Sequence, residues 1–249
     1  MELTALTRYL DDLLDVAKIR DYCPNGLQVE GRADVQSLVT GVTASDALID
    51  AAIASGADAI LVHHGYFWKG EPAPITGFKG RRIRKLIKAD INLLAYHLPL
   101  DLHPQLGNNA QLGLQMGWIA EGVFGDDGLG VFGRPGGEQS HVDALAQRLT
   151  DVLGRAPLVI GDPGQRVQRI GWCTGAAQGF LAAAIEAGCD AFVSGEISEP
   201  TVHLAREAGV AYLSAGHHAT ERYGVQALGA HLAEAHGLSH QFIDIDNPV

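Results

Sequence analysis

Residues Ala51–Gly65 read AAIASGADAILVHHG, and this stretch decides the fold. Its first part is apolar and rich in alanine. It ends in Gly-Ala-Asp, where the glycine caps a helix and the aspartate makes a turn. The apolar run Ala59–Val62 then predicts a buried strand, and two histidines, His63 and His64, stand where that strand ends. The stretch therefore predicts a helix and a buried strand, with polar side chains at the strand end.

The alternation of helix and strand patterns continues on both sides of this stretch. It predicts an α/β fold whose sheets are mixed and largely parallel. The predicted strands are Ser37–Thr43, Ala59–Val62, Ile91–Tyr96, Gln168–Cys173, Ala191–Ser194 and Val210–Ser214. The predicted helices are an amphipathic one at the N-terminus, Asp46–Ser55, Lys79–Ala89, Gly179–Ala187, Glu199–Glu207 and a long one after His217.

A nine-residue segment occurs twice in the chain. Ala51–Ala59 (AAIASGADA) and Ala183–Ala191 (AAIEAGCDA) are identical at six of nine positions. Duplication of one unit would give two related α/β lobes. The alternative is that unrelated helix–strand connections share the same turn chemistry. In the second copy, Gly195 and Glu196 take the place of the histidine pair.

Composition and charge restrict the class of protein. The chain has 249 residues and a formal net charge of −11, which disfavours tight binding to a nucleic-acid backbone. Its three cysteines form no CxxC pair, so we expect reduced thiols rather than a thiolate zinc site or a disulfide framework. The acidic N-terminal segment does not resemble a secretory signal, and no apolar run reaches the roughly 18 residues of a membrane span. We therefore expect a cytoplasmic protein without membrane contact.

Polar side chains gather at three predicted strand ends, which is where open parallel α/β sheets bind ligands. Taken singly, each group also has an ordinary explanation as a hydrogen-bonded histidine pair, a turn residue or a surface helix pair. His217 and Glu221 are four residues apart, so on a helix they share one face and can share a metal. The candidates are His63 and His64 in LVHHGYFW, His97, Asp101 and His103 in AYHLPLDLHP, and His217, His218 and Glu221 in SAGHHATER.

Together these strand ends offer at least five nitrogen and oxygen ligands and no sulfur. Such a set suits Zn, Mn, Fe, Co or Ni as the divalent ion. It also exceeds the three protein ligands that one catalytic zinc usually takes. We therefore predict two divalent metal ions per chain, with Glu221 bridging them.

Four motifs in order resemble the GTP cyclohydrolase I type 2 family, also called NIF-three-like dinuclear-metal hexameric proteins. They are PNGLQVEG (Pro24–Gly31), VHHG (Val62–Gly65), HLPLD (His97–Asp101) and GHHATE (Gly216–Glu221). The resemblance runs from Asn25 to near the C-terminus and implies the short form of the family. It further implies a NIF-three-like two-domain α/β fold and a ring-shaped homohexamer, with the metal sites facing an internal cavity. The ligands that it implies are His63, His64, Asp101, His217 and Glu221, the last as the bridge.

The Gly-rich, acidic segment Glu121–Pro135 is the expected domain boundary. We accordingly predict a first α/β lobe, residues 1–125 plus 215–249, that carries the metal site. Residues 126–214 form the predicted second lobe.

Several residues near the predicted site have two interpretations each. His97 is expected to act as a catalytic proton donor or acceptor, against a purely structural role. The aromatic run after the histidine pair could stack on a nucleobase or pack in the core, and the PNGLQ side chains could contact a ligand or make a turn. The residues in question are Tyr66, Phe67, Trp68, Asn25 and Gln28, together with Glu196, which could reach the cavity.

The first functional hypothesis is a metal-dependent hydrolase, in which activated water attacks an electrophilic carbon or phosphorus. The resemblance suggests opening of the GTP imidazole ring at C8, or action on another small anionic substrate such as a nucleotide or phosphorylated compound. The alternative is a non-enzymatic, ring-shaped metal-binding scaffold or regulatory protein. A third hypothesis, action on nucleic acid inside the ring, is disfavoured by the acidic composition.

Overall fold

The computed structural model describes residues 1–249 apart from the side chain of Asp126. The strands are β1 (Gly26–Val29), β2 (Ser37–Thr43), β3 (Ala59–His64), β4 (Asn92–Ala95), β5 (Ile119–Phe124), β6 (Gly130–Arg134), β7 (Leu158–Ile160), β8 (Ile170–Cys173), β9 (Ala191–Ser194), β10 (Ala211–Ser214) and β11 (Ser239–Phe242). The helices are α1 (Leu3–Leu13), α2 (Asp46–Ser55), α3 (Gly77–Ala89), α4 (Leu98–Leu102), α5 (Asn108–Met116), α6 (Val142–Leu153), α7 (Leu181–Glu186), α8 (Glu199–Ala208), α9 (His217–Thr220) and α10 (Arg222–His236). Short 3₁₀ turns occur at Val16–Lys18, Asp126–Gly128 and Gln178–Phe180.

The chain divides into two compact units, each built around one mixed sheet. Unit 1 is Met1–Gly107 with Gly224–Asp246, and unit 2 is Asn108–Tyr223 with Asn247–Val249. The sheet of unit 1 has the order β1-β4-β3-β2-β11, with β1 antiparallel to β4 and the other neighbours parallel. The sheet of unit 2 has the order β5-β6-β8-β9-β10-β7, in which β8, β9 and β10 are parallel. The protein is thus an α/β protein with two mixed sheets, as predicted.

In unit 1, strand β3 is buried on both faces. Successive side chains of a strand point to opposite sides, so its residues divide between two apolar cores. Ile60 and Val62 pack on one side with residues of α2 and α3, such as Ile49 and Ile83. Leu61 packs on the other side with residues of α1 and α10, which include Leu6, Leu10, Val225 and Leu228. This double burial explains why the sequence of β3 is continuously apolar up to the histidines.

The repeated segment has the same structure in both units. In each copy a strand, a helix and a parallel strand follow one another, as β2–α2–β3 and as β8–α7–β9. Asp58 Oδ2 accepts hydrogen bonds from the backbone N–H groups of Gln36 and Ser37 at 2.9 and 2.8 Å. In unit 2, Asp190 Oδ2 accepts the corresponding bonds from Gln168 and Arg169, both at 2.8 Å. The repeat therefore encodes one β–α–β step whose aspartate holds the start of the preceding strand.

The unit boundaries differ from the predicted division after residues 125 and 214. The segment Glu121–Pro135, the expected domain boundary, instead contains most of β5 and all of β6, and these strands pair antiparallel within the sheet of unit 2. Its glycines and acidic residues therefore belong to a hairpin, and the chain passes into unit 2 earlier, at Asn108. Consequently His217 and Glu221 belong to unit 2, whereas the first lobe was expected to hold the whole site.

The long helix expected after His217 is divided. A single turn, α9, ends at Thr220, and α10 begins at Arg222, so Glu221 lies at the break between them. Among the described residues, no helix combines the length and apolar character needed to cross a membrane.

Candidate metal centre

His63, the last but one residue of β3, is held with one ring nitrogen ready to bind a metal. Its side chain is fully buried, and Nδ1 donates a hydrogen bond to the Tyr96 carbonyl oxygen at 3.0 Å. A carbonyl accepts but cannot donate, so the neutral ring carries its proton on Nδ1 and its lone pair on Nε2. That Nε2 atom lies 3.5 Å from Asp101 Oδ1. Such fixing of the tautomer by the second ring nitrogen is usual for metal-ligating histidines.

The other unit 1 candidates stand around His63. The His64 ring centroid lies 4.6 Å from that of His63, and His64 Nδ1 pairs with Thr43 Oγ1 at 3.1 Å. Asp101 lies in α4, which starts where β4 ends, and its backbone N–H bonds the His97 carbonyl at 3.1 Å. The carboxylate is thereby returned toward the strand ends. Unit 1 thus brings His63, His64 and Asp101 to one place, as their positions after strands predicted.

His97 joins this group through a carboxylate that the sequence did not reveal. One ligand atom from each of His63, His64 and His97 lies within 4.8 Å of the others. His97 Nδ1 donates to Asp21 Oδ1 at 3.0 Å, and Asp21 also accepts from the Leu98 N–H at 2.9 Å. Burial alone would raise the pKa of Asp21, but the hydrogen bonds from His97 and Asn25 outweigh it and hold that pKa well below its usual range. Asp21 is therefore a carboxylate that orients the His97 ring.

The thiol of Cys23 lies next to the Asp21 carboxylate. Burial, together with the neighbouring Asp21 charge, raises the pKa of the Cys23 thiol to about 12. In the absence of a bound metal the thiol therefore stays protonated at neutral pH.

In unit 2, His217 lies between two carboxylates. Its Nδ1 contacts Glu196 Oε1 at 2.7 Å and its Nε2 contacts Glu221 Oε2 at 3.1 Å. Burial lowers the pKa of His217, but the bonds to Glu221 and Glu196 outweigh burial and raise the pKa to about 9. Glu196 occupies the strand-end position that corresponds to His64 in the repeat, so the internal echo did indicate a polar group here.

Gly175 lies directly against this pair. A Cβ built on Gly175 would overlap Glu221 Oε1 and would stand 3.2 Å from His217 Nε2. The residue also has a φ of +67°, which favours glycine. The Gly175 N–H donates to Thr220 Oγ1 at 3.1 Å, which fixes the loop beside α9. No pattern in the sequence distinguished this glycine from those of ordinary turns.

His103, the last histidine of the AYHLPLDLHP segment, has a structural role. His103 Nδ1 accepts hydrogen bonds from the backbone N–H groups of Gln105 and Leu106 at 3.3 and 2.9 Å. It therefore caps the turn after α4.

A sequence model for Duf34/NIF3 (NGG1p interacting factor 3) matches residues 1–248. The chain belongs to the Duf34/NIF3 family. The resemblance that the four motifs indicated is therefore confirmed over almost the whole chain.

Relatives within the Duf34/NIF3 family are similar along their full length. A GTP cyclohydrolase 1 type 2 homolog of Pseudomonas aeruginosa is 54% identical over 248 residues, which cover 99% of this chain and 98% of the relative. A protein of the same name from Vibrio cholerae is 55% identical over 260 residues, covering 100% and 99%. Among solved structures, protein ybgI matches with a TM-score of 0.95 at 49% identity, and TTHA1606 from Thermus thermophilus matches with 0.89 at 36%, each covering 100% of both chains. The Duf34/NIF3 fold is thus established for this chain.

Proposed function

We propose that this chain binds two divalent metal ions and uses them to hydrolyse a nucleotide or another phosphorylated substrate. The proposed ligands are His63, His64, Asp101, His217 and Glu221. The observation that carries the proposal is the fully buried His63 ring, whose Nδ1 is fixed by a carbonyl and whose Nε2 is directed at the buried Asp101 carboxylate. Imidazole and carboxylate donors of this kind fit Zn, Mn, Fe, Co or Ni.

When bound, such ions lower the pKa of water and so supply a nucleophile at neutral pH. The chain's own residues would support that chemistry in two ways. Glu196 accepts from His217 Nδ1 and so orients the ring for binding through Nε2. The His97 ring, oriented by Asp21, has its centroid 4.9 Å from that of His63 and can hold or move a proton there. We propose GTP as the first substrate to test, since the relatives are named as homologs of a GTP cyclohydrolase. Assembly into a ring-shaped homohexamer stays a prediction from the family resemblance.

The direct test is a substrate screen of the metal-reconstituted protein. Protein loaded with Mn²⁺ or Zn²⁺ is expected to hold about two ions per chain and to convert one or more of a panel of nucleotides and phosphoesters. Chelator-treated protein and the Glu221→Ala variant, purified identically, control for contaminating hydrolases. A single ion per chain would contradict the dinuclear proposal, and two ions without turnover would instead favour a metal-binding scaffold.

Substitution of Gly175 is expected to weaken metal binding without a change in any ligand. In Gly175→Ala the new methyl group would occupy the position of Glu221 Oε1, so the carboxylate must move. Displaced supporting groups commonly cost about 10–100-fold in metal affinity. Competition with a chromophoric chelator measures this loss, and Gly179→Ala, where a Cβ meets nothing within 4 Å, is the matched control. Equal affinities for the two variants would contradict the expected displacement.

Metal affinity is also expected to rise with pH. A ligand must lose its proton before it binds a metal, yet the pKa of His217 in the metal-free protein is about 9. At pH 7 this ring is protonated, so binding releases its proton, and below pH 9 each unit of falling pH should lower the affinity about tenfold through this group. Calorimetric titration with Mn²⁺ in buffers of different ionisation enthalpy counts the protons released. An affinity that does not change between about pH 6 and 9 would contradict either the raised pKa of His217 or its role as a ligand.

A further inference from the structure

Two aromatic side chains border the unit 1 histidines. Tyr22 is 53% exposed, and its ring centroid lies 5.7 Å from that of Trp68. Both rings contact His97 edge to face at 5.0 Å, and Trp68 lies 5.9 Å from the His64 ring. We call Tyr22 and Trp68 the aromatic edge. Tyr22 is exposed and Trp68 is half-buried, and both rings lie directly beside the polar groups of the proposed metal site.

The two loops that carry the aromatic edge are fastened to each other. The Lys69 N–H donates to the Tyr22 carbonyl at 2.7 Å. Gln28 accepts from the Tyr66 N–H at 2.7 Å and donates to the Pro24 carbonyl at 2.9 Å, so one side chain bonds both loops. Gln28 of the PNGLQ motif therefore links the two loops, and the aromatic edge is held in place in the absence of a ligand.

The backbone is strained at Phe67, the residue that precedes Trp68. Phe67 has a φ of +68°, a left-handed conformation that is unusual for an aromatic residue. Glu71 Oε2 holds it by accepting from the N–H groups of Phe67 and Trp68 at 2.8 and 3.2 Å. Strain of this kind persists where the surroundings enforce it, commonly at ligand sites. Tyr66, by contrast, is buried and donates to the Ala44 carbonyl, so core packing accounts for Tyr66 but not for the aromatic edge.

We propose that Tyr22 and Trp68 form a stacking subsite for the base of a nucleotide whose polar part lies toward His63 and His64. The inference rests on the proposed metal function and adds to it the residues that would bind the base. Aromatic side chains bind bases through their faces with little dependence on sequence. The same chemistry would suit a free nucleotide or a base of a single-stranded nucleic acid. The net charge of −11 favours the free nucleotide, because a polyanionic strand would be repelled.

The test compares two probes that differ only in the presence of a nucleoside, namely GTP and inorganic triphosphate, on full-length protein loaded with zinc. Both probes carry a triphosphate chain that can bind the metal, so a preference for GTP reports on the nucleoside. In Tyr22→Leu and Trp68→Leu the affinity for GTP is expected to fall roughly tenfold, while the affinity for triphosphate stays unchanged. Tyr22→Phe keeps the ring and should keep the wild-type affinity. Phe78→Leu, which removes another exposed aromatic ring, is the matched control.

Equal binding of GTP and triphosphate by the wild-type protein would overturn the stacking subsite. So would an equal loss of both probes in the leucine variants, because that result would mean disturbed loops. A single-stranded oligonucleotide that binds more tightly than GTP, with the same dependence on Tyr22, would overturn the assignment to free nucleotides. Zinc content is measured separately for every variant. Protein that binds no zinc therefore refutes the proposed function, whereas normal zinc content without a preference for GTP refutes the subsite alone.

Discussion

Replacement of Glu221 by alanine is expected to remove most of the bound metal. The proposed bridge would bind both ions, so its loss disturbs both positions at once, whereas His63→Ala and His64→Ala should each remove about one ion. Glu221 is only 3% exposed, and its carboxylate is held 3.1 Å from His217 Nε2, so water cannot readily substitute for it. Elemental analysis of reconstituted protein gives the number of ions per chain.

The neighbouring histidine supplies the control for this series. His218 follows His217 by one residue and stands about 100° around the helix from it. We therefore expect His218→Ala to retain both ions. Loss of metal from His218→Ala, but not from His217→Ala, would mean that the ligand is the second histidine of the motif. Unchanged metal content in every variant would refute the proposed centre.

Substitution of His97 should lower the rate while leaving the metal in place. A side chain that donates or accepts a proton in the reaction typically contributes about 10²–10⁴-fold, and His97→Ala should lose an amount in this range. Asp21→Asn keeps the shape of the partner and an oxygen acceptor, so its loss should be smaller. Steady-state kinetics on the best substrate of the screen, with metal content measured in parallel, gives both quantities. If His97→Ala loses metal in proportion to activity, His97 is a ligand or a structural residue instead.

Much of the local structure could be predicted because single segments determine it. Strand β2 and helix α2 agree with the sequence prediction residue for residue. The helix begins after Ser45, whose side chain accepts from the Leu48 N–H at 3.2 Å. Strand β3 was predicted to end at Val62 but continues to His64, since Thr43 still pairs with that residue. The polar side chains of His63 and His64 suggested the end of the strand, although the backbone there continues to pair with β2.

The parts that escaped prediction depend on contacts between distant segments. Asp21 reaches His97 across 76 residues, and no local pattern distinguishes it from other loop aspartates. Gly175 matters because the Glu221 carboxylate packs against it, which its own neighbours in sequence do not reveal. The hairpin of β5 and β6 lies where a domain boundary was expected, because strand partners of mixed composition resemble loop sequence. The ligand set of the metal centre stays a prediction that the variants above will test.

The two copies of the β–α–β step share one backbone arrangement but differ in the side chains that their strand ends can hold. Asp58 and Asp190 hold the starts of their strands alike, whereas the opposite strand ends carry different side chains. At Gly195, however, a side chain would stand 2.6 Å from the Gly175 oxygen and 2.7 Å from His217 Cα. Substitution of Gly195 and Glu196 by histidine would therefore clash with the surrounding backbone. A histidine at position 195 would first require a different backbone path for the loop that contains Gly175.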